Sequence, residues 1–329
     1  MSSRNRKRSN TAFYVVVSLF VVGILAASAI ATLNGRSGGG IVATPLPTLP
    51  PGPYPQGFGD STGKEVTLED EPLGIISLSR SFTEIVYALG AGGKIIARDE
   101  ASTYPEDAAT KPTVSTINPD MQFINSKKPD LVWLSPGAKE LTAELDKQNV
   151  TEAYFDEPTS IQGKDGMISR IFLIGRLVNK VEEARKVVAP LEQRIRVIKE
   201  KLKDIKPGEG LRSYLELSPD LTTTSVTRLP GEVLFQLATV NIFGQAEEGR
   251  FKAASQDIIA KDPQVIFLAE PPDKENLQTL RNRPGWSAIS AVKNGRVYNI
   301  NGGLLEYGTP RTVDEYERMT KLLYPDRFP

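Results

Sequence analysis

Two serines flank an arginine directly after an apolar run, in the segment "IISLSRSFTEIVYALG" at residues 75–90. Serines at such a position can belong to a catalytic corner, to a phosphate cradle, or to the edge of a pocket that only binds. A serine nucleophile needs a neighbouring base, and the chain contains neither His nor Cys. Ser79, Arg80 and Ser81 are therefore better candidates for ligand binding than for catalysis.

The lack of His and Cys also excludes zinc sites built on those side chains, structural disulfides and a lipid-modified N-terminal Cys. Carboxylates remain as potential acid–base groups, and Glu216 and Glu270 stand at the ends of predicted strands. Their separation cannot be read from the sequence, although a catalytic pair must lie within a few ångströms. A carboxylate-dependent extracytoplasmic hydrolase or transferase therefore stays open as an alternative.

The charge of the chain is unevenly distributed. Of 40 basic and 40 acidic residues, five basic residues and no acid lie in residues 1–40, which leaves 35 basic against 40 acidic residues for the remainder. A mildly acidic body has no electrostatic footprint for nucleic acid, so no nucleic-acid partner is expected. The length of 329 residues allows two lobes of ordinary domain size.

The N-terminus has the pattern of a membrane anchor. A basic tail at residues 1–10 precedes an uncharged stretch of 23 residues at 11–33, long enough to span a bilayer as one helix. The basic side should remain in the cytoplasm, which predicts a single-pass protein with an extracytoplasmic body. A cleaved signal peptide is the alternative, since small residues at 27–31 fit a cleavage site. Residues 34–72, rich in Gly, Pro and Ser, are expected to form a flexible tether.

After the tether, short β-rich runs alternate with longer amphipathic segments. This alternation predicts an α/β fold with parallel sheets covered by helices on both faces. The strand candidates are residues 73–78, 94–98, 130–134, 153–156, 212–217, 264–269 and 296–300.

Two parts of the body resemble each other. "INSKKPDLVWLS" at residues 124–135 aligns with "IIAKDPQVIFLA" at 258–269, at a constant offset of 134. "TEIVYALG" at 83–90 is likewise similar to "GEVLFQLA" at 231–238. The duplication predicts two Rossmann-like lobes, at residues 73–180 and 207–329.

A single long helix is predicted between the lobes, at residues 181–206. Pro190 should kink this helix or begin a second one, and a crossover helix within one sheet is the alternative. Its narrow apolar stripe is formed by residues that recur every three or four positions, namely Val187, Leu191, Ile195, Ile198 and Leu202.

This arrangement resembles the helical-backbone class of ABC-importer substrate-binding proteins, which capture cobalamin, ferric siderophores and haem. Besides residues 75–90, the similar segments are "TYPEDA" at 103–108, "KPDLVWLSPG" at 128–137, "SQDIIAKDPQVIFL" at 255–268 and "TPR" at 309–311. The resemblance implies a monomeric binding protein, without enzymatic activity or cofactor, that holds a metal chelate between its lobes. Its implied partners are an ABC permease and the associated ATPase. A membrane-anchored solute-sensing module is the second alternative.

The resemblance also implies that one acidic residue on each lobe docks on the permease. Asp257 matches the position on the C-terminal lobe, although it lies near a helix start and an ordinary cap is the alternative. The position on the N-terminal lobe falls on Gln122, where a Glu is usual, and Asp120 is the acid that could replace it.

The ligand contacts implied by the resemblance lie on loops facing the cleft. They are Ser79, Arg80, Ser81, Ser135, Gly137, Arg228, Tyr307 and Arg311. Arginine suits carboxylate or catecholate oxygens, because its planar fork donates two hydrogen bonds at once. Cobalamin binders of the family line the cleft with aromatic residues, and the loops here are less aromatic.

The three arginines and the tyrosine among these residues each have a structural alternative. Arg80 could be a solvated turn residue and Arg228 a mobile loop charge, while Tyr307 and Arg311 could cap the last helix. Trp133 lies mid-strand and is expected in the core. Two further acids, Glu84 and Glu232, open predicted helices, where a carboxylate favours the positive end of the dipole.

Overall fold

The computed structural model describes residues 54–328. Within this range, no helix is both long enough and apolar enough to cross a membrane. The predicted basic tail at 1–10 and membrane anchor at 11–33 lie outside the described residues.

The described chain begins with a β-hairpin of β1 (Gln56–Gly59) and β2 (Glu65–Leu68), paired antiparallel. Its buried residues alternate with exposed ones, as in a strand with one face on a core. The side chain of Asp60 shapes the turn, because Oδ1 accepts the backbone N–H of Thr62 at 2.8 Å and of Lys64 at 3.0 Å.

This hairpin corrects the predicted tether over residues 34–72. The glycines and prolines of this segment resemble a linker, but every second residue of each strand is buried, including Phe58, Val66 and Leu68. Residues 34–53 of the predicted tether lie outside the described part of the chain.

The first sheet contains four strands, all parallel, in the order β4-β3-β5-β6. They are β3 (Ile75–Leu78), β4 (Ile95–Arg98), β5 (Leu131–Leu134) and β6 (Glu152–Tyr154). The helices of this N-lobe are α1 (Arg80–Ala88), α2 (Glu106–Ala109), α3 (Met121–Lys127), α4 (Thr142–Lys147) and α5 (Met167–Leu177). Trp133 is buried in its core between the rings of Phe82 and Phe155, at centroid distances of 4.2 and 4.3 Å, which confirms its expected place.

One long helix, α6 (Val181–Leu202), follows the N-lobe and packs against both α5 and the last helix of the chain. Pro190 lies inside this one helix and does not begin a second one. Val188 replaces the predicted Val187 in the buried stripe, because spacing by three and four from Ala184 to Leu191 passes through position 188.

The second sheet is also parallel, in the order β12-β11-β7-β9. Its strands are β7 (Arg212–Glu216), β9 (Val240–Asn241), β11 (Val265–Leu268) and β12 (Val297–Asn299), and a small antiparallel ribbon joins β8 (Thr222–Thr224) to β10 (Arg250–Lys252). The helices of this C-lobe are α7 (Leu229–Gln236), α8 (Ser255–Lys261), α9 (Leu277–Arg281), α10 (Ser290–Lys293), α11 (Gly302–Tyr307) and α12 (Thr312–Leu323).

The two sheets share one topology. Numbered within each sheet along the chain, both have the strand order 2-1-3-4. The third strands, β5 and β11, differ by 134 positions, the offset that the sequence predicts. The parallel α/β architecture and the internal duplication are therefore confirmed. Short 3₁₀ helices at Gly92–Lys94, Pro136–Leu141 and Trp286–Ala288 complete the elements.

Candidate ligand-binding cleft

The first loop of the N-lobe is short because α1 begins directly after β3. Ser79 is the N-cap of α1, where its Oγ accepts the backbone N–H of Phe82 at 3.3 Å. The same Oγ lies 3.1 Å from Oγ of Ser81, and both serines are buried. The Ser79 hydroxyl is therefore occupied in capping α1. Its neighbour Arg80 is the exposed residue of this loop.

Arg80 reaches from the N-lobe towards the C-lobe. Its Nε donates a hydrogen bond of 2.9 Å to the carbonyl of Ala101, and its guanidinium carbon lies 4.8 Å from the ring centroid of Tyr307 on α11. A cation above an aromatic face is attracted by the ring quadrupole. The backbone contact and the ring fix the guanidinium at the boundary between the lobes.

A cavity of about 190 Å³ opens beside this contact. Its lining comes from both lobes and includes Arg80, Tyr104, Asn301, Leu304, Tyr307 and Arg311. The structure thus brings together three residues that the sequence proposes as ligand contacts, Arg80, Tyr307 and Arg311.

An ion pair crosses the cleft at this cavity. Arg311 donates to both carboxylate oxygens of Glu84, from Nε at 2.9 Å and from Nη2 at 2.6 Å. Its guanidinium carbon lies 3.4 Å from the ring centroid of Tyr104. Glu84 is outside the first turn of α1, so the predicted dipole role does not describe it. Its carboxylate binds the opposite lobe instead.

The duplicated copy of Glu84 makes a similar contact in the reverse direction. Glu232 aligns with Glu84 in the repeated segments, and its Oε2 accepts the backbone N–H of Ile161 on the N-lobe side at 3.2 Å. Glu232 does lie in the first turn of α7, as predicted. Each lobe therefore extends one glutamate from its first helix to the other lobe, and Glu84 is buried whereas Glu232 is partly buried.

A second cavity, of about 260 Å³, shares Tyr307 with the first. Its polar lining consists mainly of Glu157, Arg228, Arg250 and Glu306, and Pro158 with Leu229 and Pro230 adds apolar wall. Arg250 and Glu306 form an ion pair of 2.5 Å. Arg228 precedes α7, and its side chain lies beside Gly249, directly before β10.

Glu157 is the residue of this site that the sequence analysis missed. It follows β6 and lies partly buried in the second cavity. Burial raises its pKa to about 7, while the nearby Arg170 and a hydrogen bond from Ser81 oppose the rise. The position of Glu157 directly after a parallel strand could have indicated a role in binding, because open α/β sheets form their ligand sites at the carboxyl ends of strands.

Four of the proposed contacts line neither cavity, namely Ser79 and Ser81, which are buried at the start of α1, and Ser135 and Gly137. The Oγ of Ser135 donates to the carbonyl of Leu78 at 2.8 Å, and Gly137 is exposed in the following 3₁₀ helix. Neither residue lines either cavity.

The proposed docking residues are all exposed, on α3 and α8. Asp120 is the N-cap of α3 and accepts the backbone N–H of Phe123 at 2.9 Å, so its carboxylate already has a structural role. Gln122 is in the first turn of the same helix. Asp257 lies in the first turn of α8, whose N-cap is Ala254, so Asp257 is not the cap.

The alternative of a carboxylate-dependent enzyme is not supported. Glu216 is fully buried and is held by Arg283, which donates to its two carboxylate oxygens at 2.8 and 2.6 Å. Glu270 pairs with Lys274 at 3.4 Å. Among residues 54–328, no group of three or more acidic side chains is arranged to hold a metal ion.

A family model described as "Periplasmic binding protein" matches residues 75–302. The chain belongs to the periplasmic binding protein family. Membership makes it an extracytoplasmic solute-binding protein rather than an enzyme, which confirms the resemblance seen in the sequence.

Similar proteins cover most of the chain. An uncharacterized ABC transporter substrate-binding lipoprotein, YvrC of Bacillus subtilis, is 28% identical over 281 residues, which are 84% of this chain and 87% of the relative. A vitamin B12-binding protein of Vibrio cholerae is 29% identical over 259 residues, covering 76% and 88%. The crystal structure of the periplasmic vitamin B12-binding protein BtuF of Vibrio cholerae has a TM-score of 0.64 at 27% identity, covering 79% of this chain and 99% of that one.

Proposed function

We propose that this chain is the substrate-binding component of an ABC importer and that it captures a metal chelate, a ferric siderophore or cobalamin, between its two lobes. The observation that carries the proposal is the convergence of Arg80 from one lobe with Tyr307 and Arg311 from the other on one cavity. A binding protein of this family needs such a site at the boundary of its lobes.

The chemistry of the lining supports a chelate with anionic oxygens. Arginine donates a planar pair of hydrogen bonds that matches carboxylate and catecholate oxygens. Tyr104 and Tyr307 are the aromatic residues in the linings of the two cavities, which favours a ferric siderophore. The similarity to vitamin B12-binding proteins of Vibrio supports cobalamin, so both chelates belong in the first assay.

The remaining partners are a permease and its ATPase. We propose that Asp257 on the C-lobe and the first turn of α3 on the N-lobe, with Gln122 and Asp120, contact the permease. Because Asp120 is already used as a helix cap, Asp257 should contribute more to docking than the N-lobe does. We expect Asp257→Asn to weaken capture of the permease on beads, and Gln122→Glu to strengthen it.

We also propose that residues 11–33 attach the protein to the membrane, with the lobes outside the cytoplasm. The similarity to a substrate-binding lipoprotein of Bacillus subtilis supports an attached form. A membrane helix would replace the lipid, because the chain has no Cys to carry one.

The test of the proposal is a thermal shift of the full chain in a mild detergent, with cyanocobalamin, a ferric tricatecholate, a ferric trihydroxamate and haemin. A ligand at about 100 times its Kd adds about 2.7 kcal/mol, which corresponds to a rise in Tm of roughly 5–10 °C for a chain of this size. Arg80→Ala should lose most of the shift, whereas Arg196→Ala, at an exposed position on α6, should keep it. A chain that none of these chelates stabilises is not a chelate-binding protein.

A further inference from the structure

The cleft contains three carboxylates, and two of them already have a cationic partner. Glu84 is paired with Arg311, and Glu306 is paired with Arg250. Glu157 is the third of these carboxylates, and it has no such partner. Among residues 54–328, no Lys or Arg nitrogen lies within 4.0 Å of its carboxylate. The second cavity therefore includes an acid that no neighbour neutralises directly.

The groups that face Glu157 leave room for a cation. Ser81 on α1 donates a long hydrogen bond of 3.4 Å to its Oε2. Arg170 on α5 is the cation that favours the ionised form of Glu157, but its Nη2 donates to the carbonyl of Asp156 at 3.2 Å and its guanidinium carbon lies 4.4 Å from the ring centroid of Phe155.

The other charged groups around Glu157 either disfavour its ionised form or lie on the C-lobe side of the second cavity. Glu306 on α11 and the adjacent Asp156 both add negative charge, and Tyr307 shares the cavity. Arg228 and Arg250 line the C-lobe wall, and Arg250 is occupied by Glu306.

A partly buried carboxylate without a partner is costly, and a cation that enters the cavity recovers part of this cost. An ammonium group is a compact cation with three donors, which suits a single carboxylate. We propose that Glu157 binds a protonated amine of the ligand, so that the cleft selects chelates that carry an amine in addition to the anionic oxygens received by Arg80. This inference rests on the proposed function and names the ligand class of the same cleft.

The test compares two ferric trihydroxamates that differ only in the tail. Ferrioxamine B has a free ammonium group, and its N-acetyl derivative has an uncharged amide at the same position. Binding to the full chain in detergent is measured by calorimetry at pH 8. We expect the ammonium form to bind at least tenfold more tightly, and Glu157→Gln to bring the two affinities within twofold of each other.

The control is Asp156→Asn, which removes the neighbouring carboxylate outside the cavity and should keep the preference for the ammonium tail. Misfolding would not produce this pattern, because Glu157→Gln should still bind the acetylated chelate as wild type does. The Tm of the ligand-free variant should equal or exceed that of wild type, because Gln removes a charge that burial disfavours.

A pH series gives a second readout. Only ionised Glu157 attracts an ammonium group, so the ionised fraction at a pKa of about 7 sets the apparent affinity. From pH 8 to pH 6 this fraction falls about tenfold, and affinity for ferrioxamine B should fall by the same factor. The acetylated chelate and the Glu157→Gln variant should show no such change.

The outcomes separate this inference from the proposed function. Equal binding of the two trihydroxamates by wild type, or binding of cobalamin alone with the same affinity in wild type and Glu157→Gln, overturns the amine inference and leaves the proposed function standing. Failure of every chelate in the thermal-shift panel removes the proposed function itself, and the inference with it.

Discussion

The ion pair between Glu84 and Arg311 joins the two lobes, and removing either partner should destabilise the protein by different amounts. The side chain of Glu84 is 7% exposed, whereas that of Arg311 is 33% exposed. Arg311→Met leaves a nearly buried carboxylate without its partner, but Glu84→Gln leaves a cation that water can still reach. The arginine variant should therefore be the less stable one.

The magnitudes follow from the exposure of the two partners. Loss of one partner from a fully buried pair costs about 3–5 kcal/mol, and the partial exposure of Arg311 reduces this to about 2–3 kcal/mol for Arg311→Met. For Glu84→Gln we expect about 1–2 kcal/mol, the usual range for a hydrogen bond to a charged group. The double variant should cost less than the sum of the single variants, with a coupling free energy of about 1–2 kcal/mol.

The assay is urea unfolding of the four proteins in the cycle, with Arg196→Met as control. Arg196 is exposed on α6 and hydrogen-bonds only to Gln193 among the described residues, so this change should stay within about 0.5 kcal/mol of wild type. A cost of Arg311→Met below that of Arg196→Met, or strictly additive effects of Arg311→Met and Glu84→Gln, would show that this pair does not hold the lobes together.

Three further changes should alter stability. Lys64→Met should cost about 2–4 kcal/mol, because Glu152, fully buried, then loses the ammonium group that lies 2.5 Å away in the wild type. Glu275→Gln should stabilise the protein by about 1–3 kcal/mol at pH 8 and have little effect at pH 4.5. Burial, followed by a neighbouring carboxylate, raises the pKa of Glu275 to about 7, so the stability from its bound proton is full below the unfolded pKa of about 4.5 and is lost as the pH rises to 7. Gly231→Ala should cost more than 2 kcal/mol, because an added Cβ would lie 1.9 Å from the carbonyl oxygen of Ser225.

Chemical denaturation measures the free energy of unfolding of all three variants. A different result would contradict each prediction. Gly93→Ala is the matched control for Gly231→Ala, since its Cβ would meet nothing within 4 Å. Equal stability of the two alanine variants would contradict the clash. For Lys64→Met, a decrease in the free energy of unfolding of less than about 1 kcal/mol would mean that Glu152 is neutral when Lys64 is absent. For Glu275→Gln, a stability difference from wild type that is constant between pH 4.5 and 8 would show that Glu275 has an ordinary pKa.

The strands could be predicted because their residues are locally distinctive. β5 and β11 are continuous apolar runs, the composition of a parallel strand buried on both faces, and both are preceded by a helix end and a proline. The internal repeat then indicated two lobes. The hairpin of β1 and β2 was missed because its three glycines, and the prolines that precede it, outweigh three apolar residues whose burial is created only in the folded protein.

The cleft was predictable only in part. Arg80 could be assigned to a loop at the edge of the site, because it follows a strand and precedes a helix. The pairing of Glu84 with Arg311 joins residues that are 227 positions apart, and nothing in either segment specifies the other. Glu157 was missed for the same reason, since its environment is created by side chains from α1, α5 and α11 that meet only in the folded protein.

Whether a chelate binds between the lobes can be tested by locating the metal of the bound chelate. Crystals grown with the chelate that gives the largest thermal shift would be measured at the absorption edge of iron or cobalt. We expect one anomalous peak between the lobes, beside Arg80 and Tyr307. A larger cavity of about 430 Å³ lies outside this cleft and is lined by residues such as Lys199, Phe235 and Val240. A peak there, or the absence of a peak between the lobes of a chain that binds the chelate, would mean that the ligand does not bind in the cleft.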